Sequence, residues 1–532
     1  MAERKSRLYI LKPLIEKWPA VTKPEGHVQF KTKVFWTTLC LVIYFALTNV
    51  LLYGVEQTRL DLFANFRAIL AGASGSVMHL GIGPIVTGSI IMQLFTGAKI
   101  INLDLTNSDD KAIYQGTQKI LVIGMILIES VPQVFGYLIP DVDLIADIGM
   151  GGARSIIIAQ LFMGALIAFL MDELISKWGI GSGISLFIAA GVAQSLFTGS
   201  LNWQGANTAY SPTDYTVDPN AAQGPNVPAG TIPMAIYVFT QSSVADLVHQ
   251  GGFENVFIGN QFFPNPMVAF VGTFVIFLFV VYAESSRIEL PLAHGKVRGA
   301  RGRYPIRLIY ASNIPVILIA ALLANVNLFT ILLYTHPTLS QIPVIGEAWW
   351  IGYYPPAQGG TLSPQPIAGG AWYLTTINGF QEWFLPLVDF DRYGGILNGH
   401  NLGQLLIRIA IYLFVFIAGS ILFAKFWIET TNMGPEAVAK QIQSSGMQIP
   451  GFRRDPRVLQ RILARYIPTV TVIGGATVGA LAAFADMLGT VGQASGTGVL
   501  LAVGITIRMY EQIAKEQAME MHPVLRSFFG AD

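Results

Sequence analysis

Few side chains in this sequence are placed where they could do chemistry, and the strongest candidates lie inside long apolar runs. Glu129, Lys119, Asn325 and Asp486 are polar or ionisable residues of this kind. They are costly at membrane depth, so they indicate an ion path, a substrate site or a polar contact between helices. A carrier coupled to protons or sodium would usually need several mid-membrane carboxylates, whereas this sequence offers essentially Glu129. A hydrogen bond between helices is the competing interpretation for Glu129.

The sequence lacks the motifs of the common enzyme classes. It contains no GxxxxGK followed by Ser or Thr, no HExxH pair and no nucleophile elbow in a plausible context. Those motifs would bind a phosphate, bind a zinc ion or position a catalytic serine. The single cysteine, Cys40, permits no disulfide within the chain and no zinc site of the Cys/His type. We therefore expect neither an enzyme nor a bound cofactor or metal.

The composition explains why so few polar groups are available. Of the 532 residues, 52% are hydrophobic and 12% are charged, with a mean hydropathy of +0.52. A soluble domain carries about 25% charged residues, so this chain could not cover a water-facing surface. The apolar content also excludes intrinsic disorder, and a net charge of +1 argues against nucleic acid as the main ligand. The sequence predicts an all-α, polytopic membrane protein.

Ten apolar runs approach the roughly 20 residues that a helix needs to cross a hydrocarbon core about 30 Å thick. They lie near 34–54, 80–97, 118–139, 155–172, 181–198, 267–283, 306–330, 404–428, 466–488 and 492–509. Glycine or proline interrupts several of them, as in GIGPIV at 81–86. Broken helices are tolerated in a membrane where other helices or a water-filled cavity satisfy the backbone, which predicts a bundle with an internal cavity.

Lysine and arginine are distributed unevenly between the loops, and this distribution predicts the orientation of the chain. The amphipathic N-terminal segment 1–33 and the loops 284–305 and 429–465 are basic. By contrast, 199–264 contains no Lys or Arg, and 331–400 contains only Arg392. We expect the basic segments and both termini to be cytoplasmic, and the two long insertions to be extracellular.

The ten predicted spans divide into two halves of five, an N-terminal half at 34–264 and a C-terminal half at 265–512, followed by a cytoplasmic tail at 513–532. An odd number of spans in each half forces opposite orientations if the halves are related. No clear sequence match joins the halves, so the pattern permits two inverted pseudo-symmetric halves.

The stretch from Thr58 to Phe95 combines a short amphipathic helix, a flexible link and a broken apolar helix. The first part, Leu60–Leu70, is too short to span a membrane, and AGASGS follows it. Gly and Ser leave helical geometry at little cost, so this link predicts a hinge. A re-entrant segment beside water or protein fits this order. The alternative is an ordinary surface helix at the membrane edge.

The two cytoplasmic loops are more basic and longer than orientation alone requires. One contains RIELPLAHGKVRGARGRYP from Arg287, and the other contains GFRRDPRVLQRILARY from Gly451. Clusters of this size bind anionic lipid headgroups or RNA phosphates on a large partner. A third interpretation is that the positive charges only set the orientation of the chain in the membrane. The length of the loops favours a docking role.

Four long blocks of this sequence closely resemble the SecY family, the channel subunits of the protein-conducting Sec translocon, in its archaeal and eukaryotic branch. The blocks are LGIGPIVTGSIIMQLF at 80–95, KWGIGSGISLFIAAGVAQSLF at 177–197, RIELPLAHGKVRGARGRYPIRLIYASNIPVIL at 287–318, and GTGVLLAVGITIRMYEQ at 496–512. They occur in the family's order and the resemblance covers nearly the whole chain apart from the two insertions. It implies an hourglass of ten helices around a narrow waist.

At that waist the resemblance implies a ring of aliphatic side chains that seals around a passing polypeptide. Carried over by position, the ring is Ile82, Val86, Ile184, Ile188, Ile317 and Leu501. An aliphatic constriction opposes ions because it offers no ligand to replace their hydration water. Without the resemblance, each of these residues would be assigned to lipid contact or to packing in the core.

The resemblance also assigns a plug and a lateral gate. The plug would be the re-entrant segment 60–73, with the apolar residues Leu60, Leu62, Phe63, Phe66, Ile69 and Leu70. The gate would lie between spans two and three on one side and spans seven and eight on the other, where Thr87, Glu129 and Asn325 match polar positions. Polar contacts between membrane helices contribute about 0.6–2 kcal/mol each, so an inserting signal sequence could compete with them.

The basic loops correspond to the family's docking surface for the translating ribosome. The residues implied are Arg298, Arg301, Arg303, Arg453 and Arg454. Further implied partners are SecE-like and Secβ/SecG-like subunits, signal peptides, nascent chains and membrane lipids. The enlarged insertions 199–264 and 331–400 depart from the family pattern.

These features favour a passive channel in the cytoplasmic membrane that moves secretory polypeptides across it and releases transmembrane segments sideways, driven by a bound partner. The alternative is a small-solute secondary transporter built on an inverted repeat. A transporter needs polar ligands at mid-membrane, whereas a protein channel needs an apolar, deformable seal. A membrane scaffold is the third possibility, and it would need neither the hinge nor the re-entrant segment.

Overall fold

The computed structural model describes residues 7–17, 21–26, 28–55, 71–97, 100–101, 103, 107–136, 138–204, 228–241, 256–258, 265–294, 301–309, 311, 313–335, 351–354, 366–431, 433–444, 447–448, 456–492 and 494–521. Within these ranges the chain is almost entirely helical. Helices α1 to α7 are Lys12–Glu16, Phe30–Asn49, Gly83–Gly97, Ser108–Gly136, Val142–Trp178, Gly183–Leu201 and Thr231–Gln241. Helices α8 to α12 are Met267–Ser285, Ile314–Thr335, Gly370–Leu374, Phe384–Val388 and Phe390–Tyr393. Helices α13 to α16 are Leu402–Thr430, Pro435–Ser444, Pro456–Leu488 and Gly496–Met521.

Eight of these helices are long and apolar enough to cross a membrane: α2, α4, α5, α6, α8, α9, α13 and α15. The chain is thus a multi-pass membrane protein. The two other predicted spans differ from the expectation. Helix α3 has only 15 residues because a turn with Gly81 at φ +56° precedes it. Helix α16 has 26 residues, and its second half carries Arg508, Glu511 and other charged residues that leave the apolar run.

Helix α5 is longer than its apolar run of 155–172 because it continues into a less hydrophobic first turn. It runs from Val142 to Trp178 and is broken at Gly149, whose φ of 76° and ψ of 163° are not helical. A residue with a Cβ would be strained at that positive φ. The break separates a short segment near the predicted outer face from the main helix.

A three-stranded antiparallel sheet joins the two basic loops, and the sequence did not predict it. Strands β1 (Arg287–His294) and β2 (Arg301–Arg307) form a hairpin in which Arg287 pairs with Arg307 and Ala293 with Arg301. The two-residue strand β3 (Met447–Gln448) pairs with the other edge of β1, Ala293 opposite Gln448 and His294 opposite Met447. The backbones of the loop after α8 and the loop before α15 are therefore hydrogen-bonded to each other.

One large apolar core runs through the bundle, and a smaller core lies beneath the basic loops. The smaller core holds the amphipathic helix α14 through Val438, Ala439 and Ile442, which pack with Leu459 and Leu463 of α15. Arg457, Arg461 and Arg465 lie four residues apart in the first part of α15. The region of the loops that the structure describes thus rests on a packed base.

The N-terminal segment packs against the bundle near α4 and α5. It forms a 3-10 helix at Arg7–Leu11 followed by α1, in agreement with the predicted amphipathic helix. The hydroxyl of Tyr9 is hydrogen-bonded to the carboxylate of Asp110 at the start of α4. Trp178 Nε1 donates to the carbonyl oxygen of Thr22 at 2.9 Å. These contacts attach the segment to the same end of the bundle as the basic loops.

A candidate constriction and helix seam

The six residues assigned to the ring come from four separate segments and meet in one apolar core. Ile82, Val86, Ile188, Ile317 and Leu501 are buried members of a single continuous cluster, and Ile184 packs against it. Ile82, Ile188 and Leu501 have no accessible surface. Such side chains present no ligand for an ion. The structure therefore places all six residues in the same apolar core, while their arrangement as a ring and their role as a seal remain predictions.

The first pair of the ring is positioned by the start of α3. Ile82 lies in the turn before the helix, and its carbonyl oxygen accepts a hydrogen bond from the N–H of Val86 at 3.0 Å. This contact closes the first helical turn and stacks the two side chains on one face. Pro84 falls inside that first turn, where its missing N–H has no partner to lose.

A cavity of about 290 Å³ adjoins the ring, and Val86, Ile184 and Ile317 line it. Hydroxyl and amide groups also line it, from Ser89, Gln93, Tyr114, Gln118, Ser182, Ser185, Thr430 and Thr431, together with the apolar side chains of Ile314, Leu318 and Trp427. The cavity thus combines aliphatic side chains with hydroxyl and amide groups, so both water and apolar side chains can occupy it.

The three polar residues assigned to the gate also meet. Asn325 Nδ2 in α9 donates to Thr87 Oγ1 in α3 at 3.0 Å, and Thr87 Oγ1 donates to the carbonyl oxygen of Gly83 at 2.9 Å. Glu129 in α4 is buried beside the Thr87 side chain. Its Oε1 has no hydrogen-bond partner among the described residues. We call this contact of α3, α4 and α9 the polar seam.

The predicted plug residues Leu60, Leu62, Phe63, Phe66, Ile69 and Leu70 lie outside the described residues. The two ends of that segment are described, and they are held together. Leu52 N–H donates to the carbonyl oxygen of Gly75 at 2.8 Å, and Val77 N–H donates to that of Val50 at 2.9 Å. Tyr44 of α2 donates its hydroxyl to the carbonyl oxygen of Ala71 at 3.1 Å. The segment therefore leaves and rejoins the bundle at one place.

The predicted AGASGS hinge has the backbone geometry of a bend. Ala71 has φ 49° and Gly75 has φ 68°, both in the left-handed region. This conformation costs a residue with a Cβ about 1–2 kcal/mol, so Ala71 holds strain that its hydrogen bond with Tyr44 and its full burial offset.

The docking residues can be placed only in part. Arg301 and Arg303 lie on β2, where Arg301 pairs with Ala293 and Arg303 with Pro291 through the backbone. Arg298, Arg453 and Arg454 lie outside the described residues.

Asp486 is a buried cap that joins three helices. Its Oδ1 accepts from the N–H of Thr497 at 2.8 Å, and its Oδ2 accepts from the hydroxyls of Thr497 and Tyr412, each at 2.7 Å. A carboxylate at the start of α16 satisfies N–H groups that have no partner within the helix. The sequence identified Asp486 as a polar residue, but its partners on α13 and α16 are far away in the chain and left no signal.

Replacing Asp486 with alanine should destabilise the bundle more than the loss of one ordinary hydrogen bond. A hydrogen bond to a charged group contributes about 1.5–3 kcal/mol, and three donors would lose their acceptor. We expect a lower thermal midpoint for the purified protein, measured by tryptophan fluorescence in detergent. Thr477→Val is the matched control, because Thr477 is partly exposed on the same helix and its hydroxyl donates to the carbonyl oxygen of Ile473 in its own turn. Equal midpoints for the two variants would contradict the capping role.

Comparison with known proteins assigns the chain to a family. The profile of the SecY family matches residues 76–510. The profile described as the plug domain of Sec61p matches residues 42–75, which contain the predicted plug segment 60–73. The chain belongs to the SecY family. This SecY-family chain is 44% identical over 530 residues to the protein translocase subunit SecY of Haloferax volcanii, with 98% of each chain covered.

Solved structures agree with that assignment. The structure titled as that of a protein-conducting channel superposes with a TM-score of 0.72 at 36% identity, covering 96% of this chain and 98% of the other. Sec61 in a canine ribosome–channel complex from the endoplasmic reticulum gives a TM-score of 0.70 at 36% identity, with the same coverage. These relatives are named as translocase subunits or channels and not as enzymes. The function that the matches support is a protein-conducting channel, and the transporter alternative is not supported.

Proposed function

We propose that this chain forms the pore of a protein-conducting channel whose waist is the ring Ile82, Val86, Ile184, Ile188, Ile317 and Leu501. The observation that carries the proposal is the convergence of these aliphatic residues from four segments into one continuous core. The cavity beside Val86, Ile184 and Ile317, which combines aliphatic side chains with hydroxyl and amide groups, is the inner mouth of the path. A polypeptide entering there passes from a partly polar space into an apolar constriction.

The seal works because it is apolar and deformable. Buried Ile, Val and Leu side chains exclude hydrated ions, since no oxygen or nitrogen replaces the ions' water. The same side chains make only dispersion contacts with a passing chain, so they accept many sequences without selecting among them. The energy for transport comes from a bound partner, such as a translating ribosome, and not from this chain.

The polar seam is the closed state of a lateral gate. It links α3 and α4 to α9 through Thr87, Glu129 and Asn325, and the plug segment returns to the bundle just before α3. Parting of these helices opens a route from the pore into the lipid, through which a signal peptide or a transmembrane segment leaves.

Replacing Asn325 with leucine should make the gate open more readily. The variant loses the donor to Thr87, and one such contact is worth about 0.6–2 kcal/mol, which corresponds to a threefold to thirtyfold shift of a two-state equilibrium. We expect export of substrates with weakened signal sequences to rise by this factor in a translocation assay. Asn327→Leu is the control on the same helix, since Asn327 Oδ1 has no partner among the described residues. Identical export in the two variants would count against the seam as a gate.

The basic loops form the docking surface for the ribosome, with Arg298, Arg301, Arg303, Arg453 and Arg454 facing RNA phosphates. The pairing of β1 with both β2 and β3 supports this proposal, because it joins the two loops into one unit. The packed base of α14 and α15 supports it too, since a preorganised surface loses less entropy on binding. The ribosome-bound state of canine Sec61 is the precedent.

The proposal also implies how the chain is oriented in the membrane and which subunits assemble with it. The basic loops, the N-terminal segment 1–33 and the tail 513–532 face the cytoplasm, and the insertions 199–264 and 331–400 face outward from the cell membrane. Phe274, Leu278 and Tyr282 of α8 form an exposed stripe, with 57%, 65% and 74% of their surfaces accessible. Such a stripe fits lipid or the apolar helix of a SecE-like subunit. A Secβ/SecG-like subunit completes the assembly.

A direct test of the function is reconstitution in vesicles with the partner subunits and ribosomes carrying a secretory nascent chain. Protection of the released polypeptide from added protease is the expected result. Vesicles that contain the assembled complex and bound ribosomes but give no protected polypeptide would overturn the proposal.

A further inference from the structure

Asp172, near the end of α5, caps the start of α6. Its Oδ1 accepts a hydrogen bond from the N–H of Ile184 at 2.9 Å, and Ile184 is the second residue of that helix. The first N–H groups of a helix have no partner within it, and an unpaired one is costly inside a membrane. A carboxylate also suits the positive end of the helix dipole. Asp172 therefore fixes the first turn of α6, which carries Ile184 and leads to Ile188 in the next turn.

Asp486 stands in the same relation to α16. It lies near the end of α15, and its Oδ1 accepts from the N–H of Thr497, the second residue of α16, at 2.8 Å. The carboxylate and the N–H are 12 residues apart in the first cap and 11 residues apart in the second. Leu501 follows Thr497 at the same spacing at which Ile188 follows Ile184. Each cap is thus followed, one helical turn later, by a residue of the ring.

Glycine begins both helices, and each glycine lies against the helix that supplies the cap. A Cβ built on Gly183 would lie 2.5 Å from the Cα of Asp172. A Cβ built on Gly496 would overlap the carbonyl group of Ala485, the residue before Asp486. The start of each capped helix is therefore in direct contact with the turn that carries the carboxylate, so the cap acts on the position of the helix as well as on its hydrogen bonding.

Helices α6 and α16 pack against each other and run in opposite directions. The turn before α16 touches the later part of α6, where a Cβ built on Gly492 would overlap the carbonyl oxygen of Ser195. The turn before α6 touches the later part of α16, where a Cβ built on Gly181 would lie 2.9 Å from Oε1 of Gln512. The two caps therefore lie at opposite ends of one pair of helices.

The sequence carries a short match that becomes visible once the two caps are aligned. GALIAF at 164–169 and GALAAF at 479–484 precede the two carboxylates. GISLFIAAGV at 183–192 and GTGVLLAVGI at 496–505 begin the two capped helices, and the ring residue is the sixth residue of each. Matching segments thus supply both caps and a ring residue beside each of them.

We propose that Asp172 and Asp486 are a matched pair of positioning residues, each of which holds one member of the ring in place from its own end of the bundle. Asp172 acts on Ile188, and Asp486 acts on Leu501. The inference rests on the proposed function, because it takes these two side chains to be part of the seal. Removing either carboxylate leaves an N–H group unpaired in the first turn of its helix, so that this turn unwinds or shifts. The buried ring residue in the next turn then becomes accessible to water.

Thiol labelling of the assembled complex in nanodiscs measures this positioning without relying on the seal. A single cysteine replaces Ile188 or Leu501, with Cys40 replaced by serine, and a small water-soluble maleimide is added. Both positions have no accessible surface in the native protein, so both should react slowly. Asp172→Ala should raise the labelling rate at position 188, and Asp486→Ala the rate at position 501, by at least about tenfold, the factor expected for the loss of one hydrogen bond to a charged group.

Two control variants separate positioning from a general loss of stability. Tyr412→Phe removes one hydrogen bond to Asp486 but keeps the bond from the N–H of Thr497. Glu173→Gln weakens the ion pair with Lys177, whose atoms are 2.7 Å apart, at the end of α5. Both controls should lower the thermal midpoint of the complex without changing the labelling rate at either ring position.

The conservative variants test whether the accepting oxygen is what matters. Asparagine keeps an oxygen that can accept from the backbone, so Asp172→Asn and Asp486→Asn should label as slowly as the native protein. If Asp486→Ala does not assemble, Asp172→Ala decides the question, because Asp172 is only partly buried.

A native labelling rate in an assembled alanine variant, an equal rise in the controls, or fast labelling in the asparagine variants would overturn the proposal. Resting ion conductance of the same alanine variants separates this failure from a failure of the proposed function. Faster labelling with unchanged conductance would keep the two carboxylates as positioning residues and would count against the ring as a seal.

Discussion

Replacing Ile82, Ile184 and Ile317 together with glycine should raise the resting ion conductance of the reconstituted complex at least about tenfold, because a wetted gap replaces a dry constriction. The three residues lie on three segments that meet in the core, and two of them, Ile184 and Ile317, also line the adjoining cavity. Removing their side chains widens the constriction enough for water to fill it, and ions can then pass with their hydration shells. Single-channel recording in planar bilayers without ribosomes or nascent chains measures the effect.

The control for this variant must contain the same number of glycines in the same three segments. Phe95, Phe197 and Leu322 are suitable, because they are exposed to 42%, 67% and 38% and lie on α3, α6 and α9. A glycine within a helix costs about 1 kcal/mol relative to alanine, so the backbone penalty of the control is at least as large as that of the ring variant, in which Ile82 precedes its helix. A leak in both would reflect general loosening, and no leak in either would remove the ring assignment.

Charge reversal at Arg301 should weaken ribosome binding about tenfold at low salt and reduce the salt dependence, because each phosphate contact releases condensed counterions. Arg453→Glu should act in the same way on the second loop. For each reversal, the slope of log affinity against log salt should become shallower by about 0.7–0.9 for the lost contact. Co-sedimentation of ribosomes with the reconstituted complex over a salt series provides the measurement.

Arg392→Glu makes the same charge change in the insertion 331–400, which the proposal places on the opposite side of the membrane. It should leave ribosome binding unaltered. Unchanged affinity and slope in Arg301→Glu and Arg453→Glu would show that these arginines only orient the chain. Weakening in only one of them would restrict the docking surface to one loop.

The sequence predicted the multi-pass helical fold well, because apolar length is a direct consequence of membrane thickness. It could not predict where helices begin when the boundary is a backbone effect. The turn at Gly81 shortens α3 to 15 residues, and Gly149 breaks α5 inside a longer helix. Each effect depends on one glycine with a positive φ, and the hydrophobic pattern on either side of that glycine does not mark it as a helix boundary.

The strands were missed for a different reason. The stretch from Arg287 to Arg307 mixes Pro and Gly with Arg, which obscures the alternation of apolar and polar residues expected of a strand. The partner of β1 at Met447–Gln448 is about 150 residues away and only two residues long, so pairing across the loops depends on tertiary structure.

In the candidate site, too, some features could be predicted from the sequence and others could not. The resemblance to a known family placed Thr87, Glu129 and Asn325 at one seam, and the structure joins them.

Site-specific crosslinking tests the central claim most directly. A single cysteine would be placed at Ile317, with the buried Cys40 replaced by serine, and a stalled nascent secretory chain would carry a cysteine probe. A disulfide requires Cα atoms within about 7 Å, so it reports passage through the waist. The account predicts a crosslink that depends on nascent-chain length, and no crosslink from Leu322→Cys on the same helix. Absence of crosslinks from Ile317, Val86 and Ile188, with ribosomes bound and the complex assembled, would place the path elsewhere and contradict the account.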